Sequence, residues 1–302
     1  MLDTPATWRV EVPPDAQAGA QMRGRPVAEA RDLLGRLTDH SRAAQRAAFD
    51  IATGSRPDMA AVTAETRRDH LIQIFTAWPR ALGLSARFDR AWLTDDRAAR
   101  VALFGAAAAR APRNDFEMAG YLGGEDGVGP LLGLIGEVFR SGVAAVGDLP
   151  MVDAETVFRA VAVENSPAAR QAVHPALAYV EAIHGRGPLW RAAGRVLDLG
   201  EILEGRPPRP IAASPGRAIV PASRGAIALS VEVGNGHVTG FSRMTPADHL
   251  LARGGALERM LSCLPPDRAM LLPVLMTIID PCRPVTVEAA HRVSRRTTTR
   301  AE

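Results

Sequence analysis

Cys282 closes the stretch Thr277-Ile278-Ile279-Asp280-Pro281-Cys282, where an apolar run stops at an Asp-Pro corner. Packing should hold such a run rigid, so the sulfur would sit at a fixed point on the edge of the core. A thiolate there could bind a soft or borderline metal such as iron or nickel. As a thiol it could instead be a small apolar filler, the commoner fate of a lone buried cysteine. His291 follows nine residues later, and no cysteines or histidines show the short spacing of a zinc site. Cys263, just before Leu264-Pro265-Pro266, reads as packing. His70 lies one turn before Ile74 on the apolar edge of a helix, either as a hydrogen-bonded core residue or, with Arg67, Arg68 and Asp69, as the rim of a polar pocket. Arg224 stands just before a strand as a surface charge or an anion donor. There is no Gly-x-Ser-x-Gly elbow, and the glycine-rich stretch 114–129 lacks the Gly-Lys-Ser/Thr of a phosphate loop.

The elements that must hold these residues are mostly helical. Leu71, Ile74, Phe75 and Trp78 fall on one face of a helix within residues 58–84, which Pro79 should bend or end. Further helices are expected over 26–52, 87–110, 131–146, 154–163 and 168–203, the last interrupted near residues 184–189. Residues 114–129 read as loop and 204–216 as a proline-rich linker. Residues 7–13 alternate as a short strand, and 226–243 form a hairpin around a Gly-Asn-Gly turn. Helical pattern returns over 245–262 with a glycine interruption. After the apolar run 270–279, residues 285–293 read as a short helix. One domain is expected over 1–302, with flexible ends at 1–25 and 292–302.

Composition narrows the function. A chain of 302 residues, 47% hydrophobic, can bury a sizeable core. Its 36 basic residues are all arginine, interspersed with 33 acids, so no basic stripe for nucleic acid forms. The first residues lack a secretory signal, and the longest apolar stretch, ten residues with a proline, is too short to span a bilayer. These features point to a cytoplasmic protein with two unpaired thiols.

The order of the motifs carries a resemblance. E-T-R-R-D-H-L-I-Q-I-F-T-A-W-P-R-A-L-G at 65–83, E-N-S-P-A-A-R-Q-A-V-H-P at 164–175, the segment from Ala222-Ser223-Arg224-Gly225 through the hairpin to Thr245-Pro246-Ala247-Asp248-His249, and D-P-C-R-P-V-T-V-E-A-A-H at 280–291 succeed one another as in nickel-iron hydrogenase large subunits. More closely, the chain resembles the HupK/HoxV family of hydrogenase maturation proteins, which are reduced relatives of that subunit. The likeness covers most of the chain from about residue 60. It implies an α+β, mainly α fold: a large-subunit-like helical core with a small β-hairpin.

The departures shape the implied function. Large subunits hold nickel and iron with two Cys-x-x-Cys pairs; here the early pair is missing, Val285 stands where the late pair has its second cysteine, and Glu288 where the motif has histidine. One thiolate cannot hold a bridged nickel-iron centre, so no nickel and no catalysis are expected. The resemblance implies a scaffold that transiently holds iron carrying cyanide and carbon monoxide before its transfer to the hydrogenase large-subunit precursor. Cys282 would be the iron ligand, Asp280 would orient it, Arg224 would donate hydrogen bonds to the cyanides, and His70 would support the site. Implied partners are small HypC-like maturation chaperones and the iron-assembly complex. A large-subunit paralogue without metal and a metal-dependent redox enzyme are the alternatives.

Overall fold

The computed structural model describes residues 8–13, 18–37 and 40–289. It is mainly helical, with one two-stranded and one four-stranded antiparallel sheet, as the resemblance implies. The chain opens with β1 (Trp8–Glu11), α1 (Ala18–Met22), α2 (Val27–Arg36) and α3 (Arg42–Ala52). β1 and α1 fall inside the expected flexible end 1–25; residues 292–302 lie outside the described residues. The single helix expected over 26–52 is two, because Ser41 takes a left-handed backbone (φ 53°) directly before α3.

α4 (Met59–Ile72) begins at Asp58, whose side chain accepts the Ala61 N–H. It passes into a π-helical turn, Gln73–Ala77, and ends in α5 (Trp78–Ala81). The proline explains the irregularity. Pro79 has no N–H to offer the Phe75 carbonyl four residues back, and that oxygen instead accepts the Arg87 N–H at 3.0 Å. Leu71, Ile74 and Trp78 are buried as their spacing requires.

Several expected elements differ. The helix placed over 87–110 is a 3-10 turn, Arg90–Leu93, followed by α6 (Asp96–Phe104), which Asp95 caps and Gly105 (φ 82°) terminates. The loop expected over 114–129 contains α7 (Asp115–Gly123): the Asn114 side chain accepts the Glu117 N–H, a cap that the glycine content obscured. α8 (Gly129–Val138) starts earlier than expected and stops eight residues short of 146. A Cβ on Gly129 would lie 2.1 Å from the Tyr121 carbonyl, so glycine permits the close approach of α7 and α8. In place of a helix over 154–163 there is one 3-10 turn, Thr156–Phe158. The expected helix 168–203 has a second break, giving α9 (Pro167–Arg170), α10 (Pro175–His184) and α11 (Pro188–Leu203).

The four-stranded sheet runs β2 (Ile211–Ser214), β3 (Arg217–Ala222), β4 (Gly225–Gly234), β5 (His237–Met244) in spatial and sequence order. β2 lies within the presumed linker. The expected hairpin is β4–β5, turning at Asn235 and Gly236, both with positive φ. α12 (Pro246–Leu250), α13 (Ala256–Ser262) and, after a 3-10 turn, α14 (Leu272–Ile279) lead to β6 (Thr286–Ala289). Within the apolar run Val274, Leu275 and Ile278 are buried, whereas Met270 is exposed. β6 replaces the helix expected over 285–293. Its β-branched Thr286 and Val287 suit a strand, and β1 offers an edge with Val10 opposite Val287. His291 lies outside the described residues.

Two large apolar clusters, with a small third of Val157, Ile219 and Ala228, make the core among the described residues. One surrounds α11, with fifteen of its residues buried. The other lies between α2, α3 and the β3–β5 face. No helix among the described residues is long and apolar enough to cross a membrane.

Candidate functional site

The middle of α11 carries a polar stripe inside an apolar helix. Arg191, Arg195 and Asp198 follow at spacings of four and three, so they share one face, and all three are buried. Burial demands partners for each. Arg191 pairs with Glu164, 2.8 Å from Nη1 to Oε1. Asp198 accepts from Arg170 through Nε (2.9 Å) and Nη2 (2.6 Å), from Gln171 (3.3 Å) and from His70 Nε2 (2.9 Å). Burial works against the Asp198 carboxylate, but the Arg170 charge and these hydrogen bonds hold it well below the usual carboxylate range. Burial also lowers the His70 pKa, so the ring is neutral, with its Nε2–H donating to Asp198.

Arg195 leads to a second set. It donates to Asp280 Oδ2 at 3.1 Å, and Arg224 Nη2 lies 3.0 Å from Asp280 Oδ1, so one carboxylate bridges two guanidiniums. Asp280 reaches both because its own backbone is left-handed (φ 51°, ψ 62°) where α14 ends, turning the chain sharply before Pro281. Arg224 sits in the tight turn between β3 and β4. On its other flank Asp69 lies 3.5 Å from Nη1, an ion pair without hydrogen-bond geometry, and Asp69 also accepts from Ser223 (2.9 Å) and Arg68 (2.8 Å). The Arg224 side chain is 10% exposed, yet its Nε and Nη1 have no hydrogen-bond acceptor.

Cys282 follows two residues after Asp280 and is half-buried. Burial pushes its thiol pKa up; the Thr245 hydroxyl, the Ala247 N–H and the Arg224 charge pull the other way. Thr245 and Ala247 belong to the start of α12, where a capping box holds Thr245 N–H to the Asp248 carboxylate at 2.7 Å. Cys263, expected as packing, is instead exposed at the end of α13.

The chemistry follows from this inventory. No group of three or more histidine, cysteine, aspartate or glutamate side chains placed to hold a metal ion exists among the described residues. One thiol beside a guanidinium with two unsatisfied nitrogens suits a metal that arrives with anionic ligands of its own.

Of the four residues singled out from the sequence, Arg224 and Asp280 are bonded and Cys282 lies within the field of Arg224. His70 belongs to the adjoining Asp198 set; Arg195, on the same face of α11 as Asp198, pairs with Asp280. Sequence reasoning named Asp69 only as part of a polar-pocket rim with Arg67, Arg68 and His70, and missed Arg170, Arg195 and Asp198. The three charges on the buried face of α11 were the available signal.

No protein-family model matches the chain. Its fold is similar to that of the nickel-iron-selenium hydrogenase from Desulfovibrio vulgaris Hildenborough: one structure aligns with a TM-score of 0.55 and 14% identity over 92% of this chain and 96% of that one, and the reduced state with 0.52 and 12% over the same shares. These identities establish a shared fold alone. In sequence the chain is 38% identical, over 92% of each protein, to the hydrogenase expression/formation protein HupK of Rhodobacter capsulatus. At that identity over nearly its whole length, the chain belongs to the HupK family of hydrogenase expression/formation proteins.

Proposed function

We propose that the protein is an accessory factor in nickel-iron hydrogenase formation, acting as a non-catalytic scaffold that receives iron with cyanide and carbon monoxide ligands as cargo and yields it to the large-subunit precursor. The observation that carries this reading is Arg224: a guanidinium only 10% exposed, whose charge acts on the Cys282 thiol and whose Nε and Nη1 lack acceptors. Leaving such donors empty is costly, and anionic ligands on the cargo are the acceptors that would satisfy them. Cys282 would supply the one protein ligand once its proton leaves, with the Thr245 hydroxyl, the Ala247 N–H and Arg224 stabilising the sulfur's charge. Asp280 holds Arg224 in place. A single thiolate with hydrogen bonds permits release where a four-cysteine cage would retain. The likeness of fold to a large subunit supports docking of HypC-like chaperones and the iron-assembly complex on the same surface that they use on the precursor.

The test is genetic. In the native host, Cys282→Ala should abolish active hydrogenase while the chain accumulates normally, and Cys263→Ala should leave activity intact. Wild-type hydrogenase activity with Cys282→Ala would refute the scaffold reading in favour of a paralogue that carries no metal.

A further inference from the structure

Asn165, next to the Glu164 that pairs with Arg191, has no part in the site just described, yet it is 7% exposed and every polar atom of its side-chain amide is used. Its Oδ1 accepts the Ala226 N–H at 2.7 Å, and its Nδ2 donates to the Ala226 carbonyl at 2.9 Å. This pair fixes the amide orientation, because the reverse would set donor against donor and acceptor against acceptor. The second amide hydrogen then points to His249 Nδ1, 3.0 Å away, making that nitrogen the acceptor and placing the His249 proton on Nε2. His249 is fully buried on α12, four residues after Thr245.

Both ends of this strut meet the site. Ala226 stands two residues from Arg224 at the start of β4. α12 presents Thr245 and Ala247 to the Cys282 thiol. Gly225 between Arg224 and Ala226 is shaped around Asn165: it has φ 143°, and a Cβ there would lie 2.4 Å from the Asn165 carbonyl oxygen and 2.7 Å from Oδ1. We infer that Asn165 is the positioning residue that fixes the Arg224 turn relative to the Cys282 thiol, coupling the guanidinium to the sulfur through Ala226 on one side and His249 on the other. The inference rests on the cargo reading for its purpose, but its geometry and its test do not involve iron.

The test follows the pH profile of Cys282 alkylation by iodoacetamide, resolved from Cys263 by peptide mass spectrometry, in the full-length metal-free protein. The profile midpoint reports thiolate formation and is not moved by a mere change in access. Asn165→Leu preserves volume and removes all three hydrogen bonds. Asn165→Ser, with no added bulk, serves if the leucine variant does not fold. Either should move the midpoint upward in the same sense as Arg224→Gln, by about one pH unit, within the range that loss of a nearby charge produces. The Asn165→Leu/Arg224→Gln double variant should shift by less than the sum of the two single variants, because both remove the Arg224 contribution. A wild-type midpoint in a folded Asn165 variant, or additive shifts in the double variant, would overturn the inference and reduce Asn165 to a packing role. Either result leaves the cargo reading to its own iron measurement.

Discussion

Replacing Asp198 by asparagine isolates the ion network beneath the site. The carboxylate is 1% exposed and accepts from Arg170 twice, from His70 and from Gln171. Asparagine keeps the shape but removes the charge and turns one acceptor into a donor, which must face either Arg170 or the His70 Nε2–H. Removing one partner of a buried ion pair costs about 3–5 kcal/mol. The Arg170 side chain is 17% exposed and can partly rehydrate, which favours the lower end, about 3 kcal/mol. For a chain of this size that is a fall in Tm of roughly 6 °C. Thermal and urea unfolding would measure it, with Asp148→Asn as control, since Asp148 pairs with Arg259 while 96% exposed and should leave Tm within error of wild type. A loss under about 1 kcal/mol for Asp198→Asn would refute the claim that this carboxylate holds Arg170 and His70 together.

Other outcomes follow from the same geometry. Gly225→Ala places a methyl against the Asn165 backbone and forces alanine to φ 143°, so it should lower Tm by several degrees, read by calorimetry, whereas Gly236→Ala, with nothing within 4 Å, should cost less. Asn114→Ala removes the α7 cap and should destabilise by about 1 kcal/mol in urea titration. Burial lowers the pKa of His70, His174 and His249 below 6.5, so the unfolded chain takes up protons that the folded chain refuses once pH drops through that value. The stability from these groups is therefore complete above about pH 7 and declines as pH falls toward 5; equal urea midpoints at pH 7.5 and 5.5 would contradict it.

The fold was legible where local signals dominated. The Leu71-Ile74-Trp78 face and the Asn235-Gly236 hairpin turn are encoded within a few residues. The failures were at long range or hidden in composition. β6 is a strand because β1 waits for it some 280 residues earlier in the chain, and α7 was masked by glycines that serve close packing against α8. At the site, Cys282, Asp280 and Arg224 could be singled out because the Asp-Pro-Cys and Arg-Gly motifs are compact. Their partners could not be found that way: Asp69 meets Arg224 from α4, and Arg195 and Asp198 act from a helix that reads as plain core unless its buried charges are noticed.

The central claim is that Cys282 and Arg224 together hold iron bearing anionic and carbonyl ligands. The most direct measurement is infrared spectroscopy with iron analysis on protein purified anaerobically from hydrogenase-producing host cells, alongside Cys282→Ala and Arg224→Gln. The account predicts iron with cyanide and carbonyl stretching bands in the wild type, loss of both in Cys282→Ala, and displaced cyanide bands or reduced occupancy in Arg224→Gln. Wild-type protein free of iron and of those bands, or bands that persist in Cys282→Ala, would contradict it.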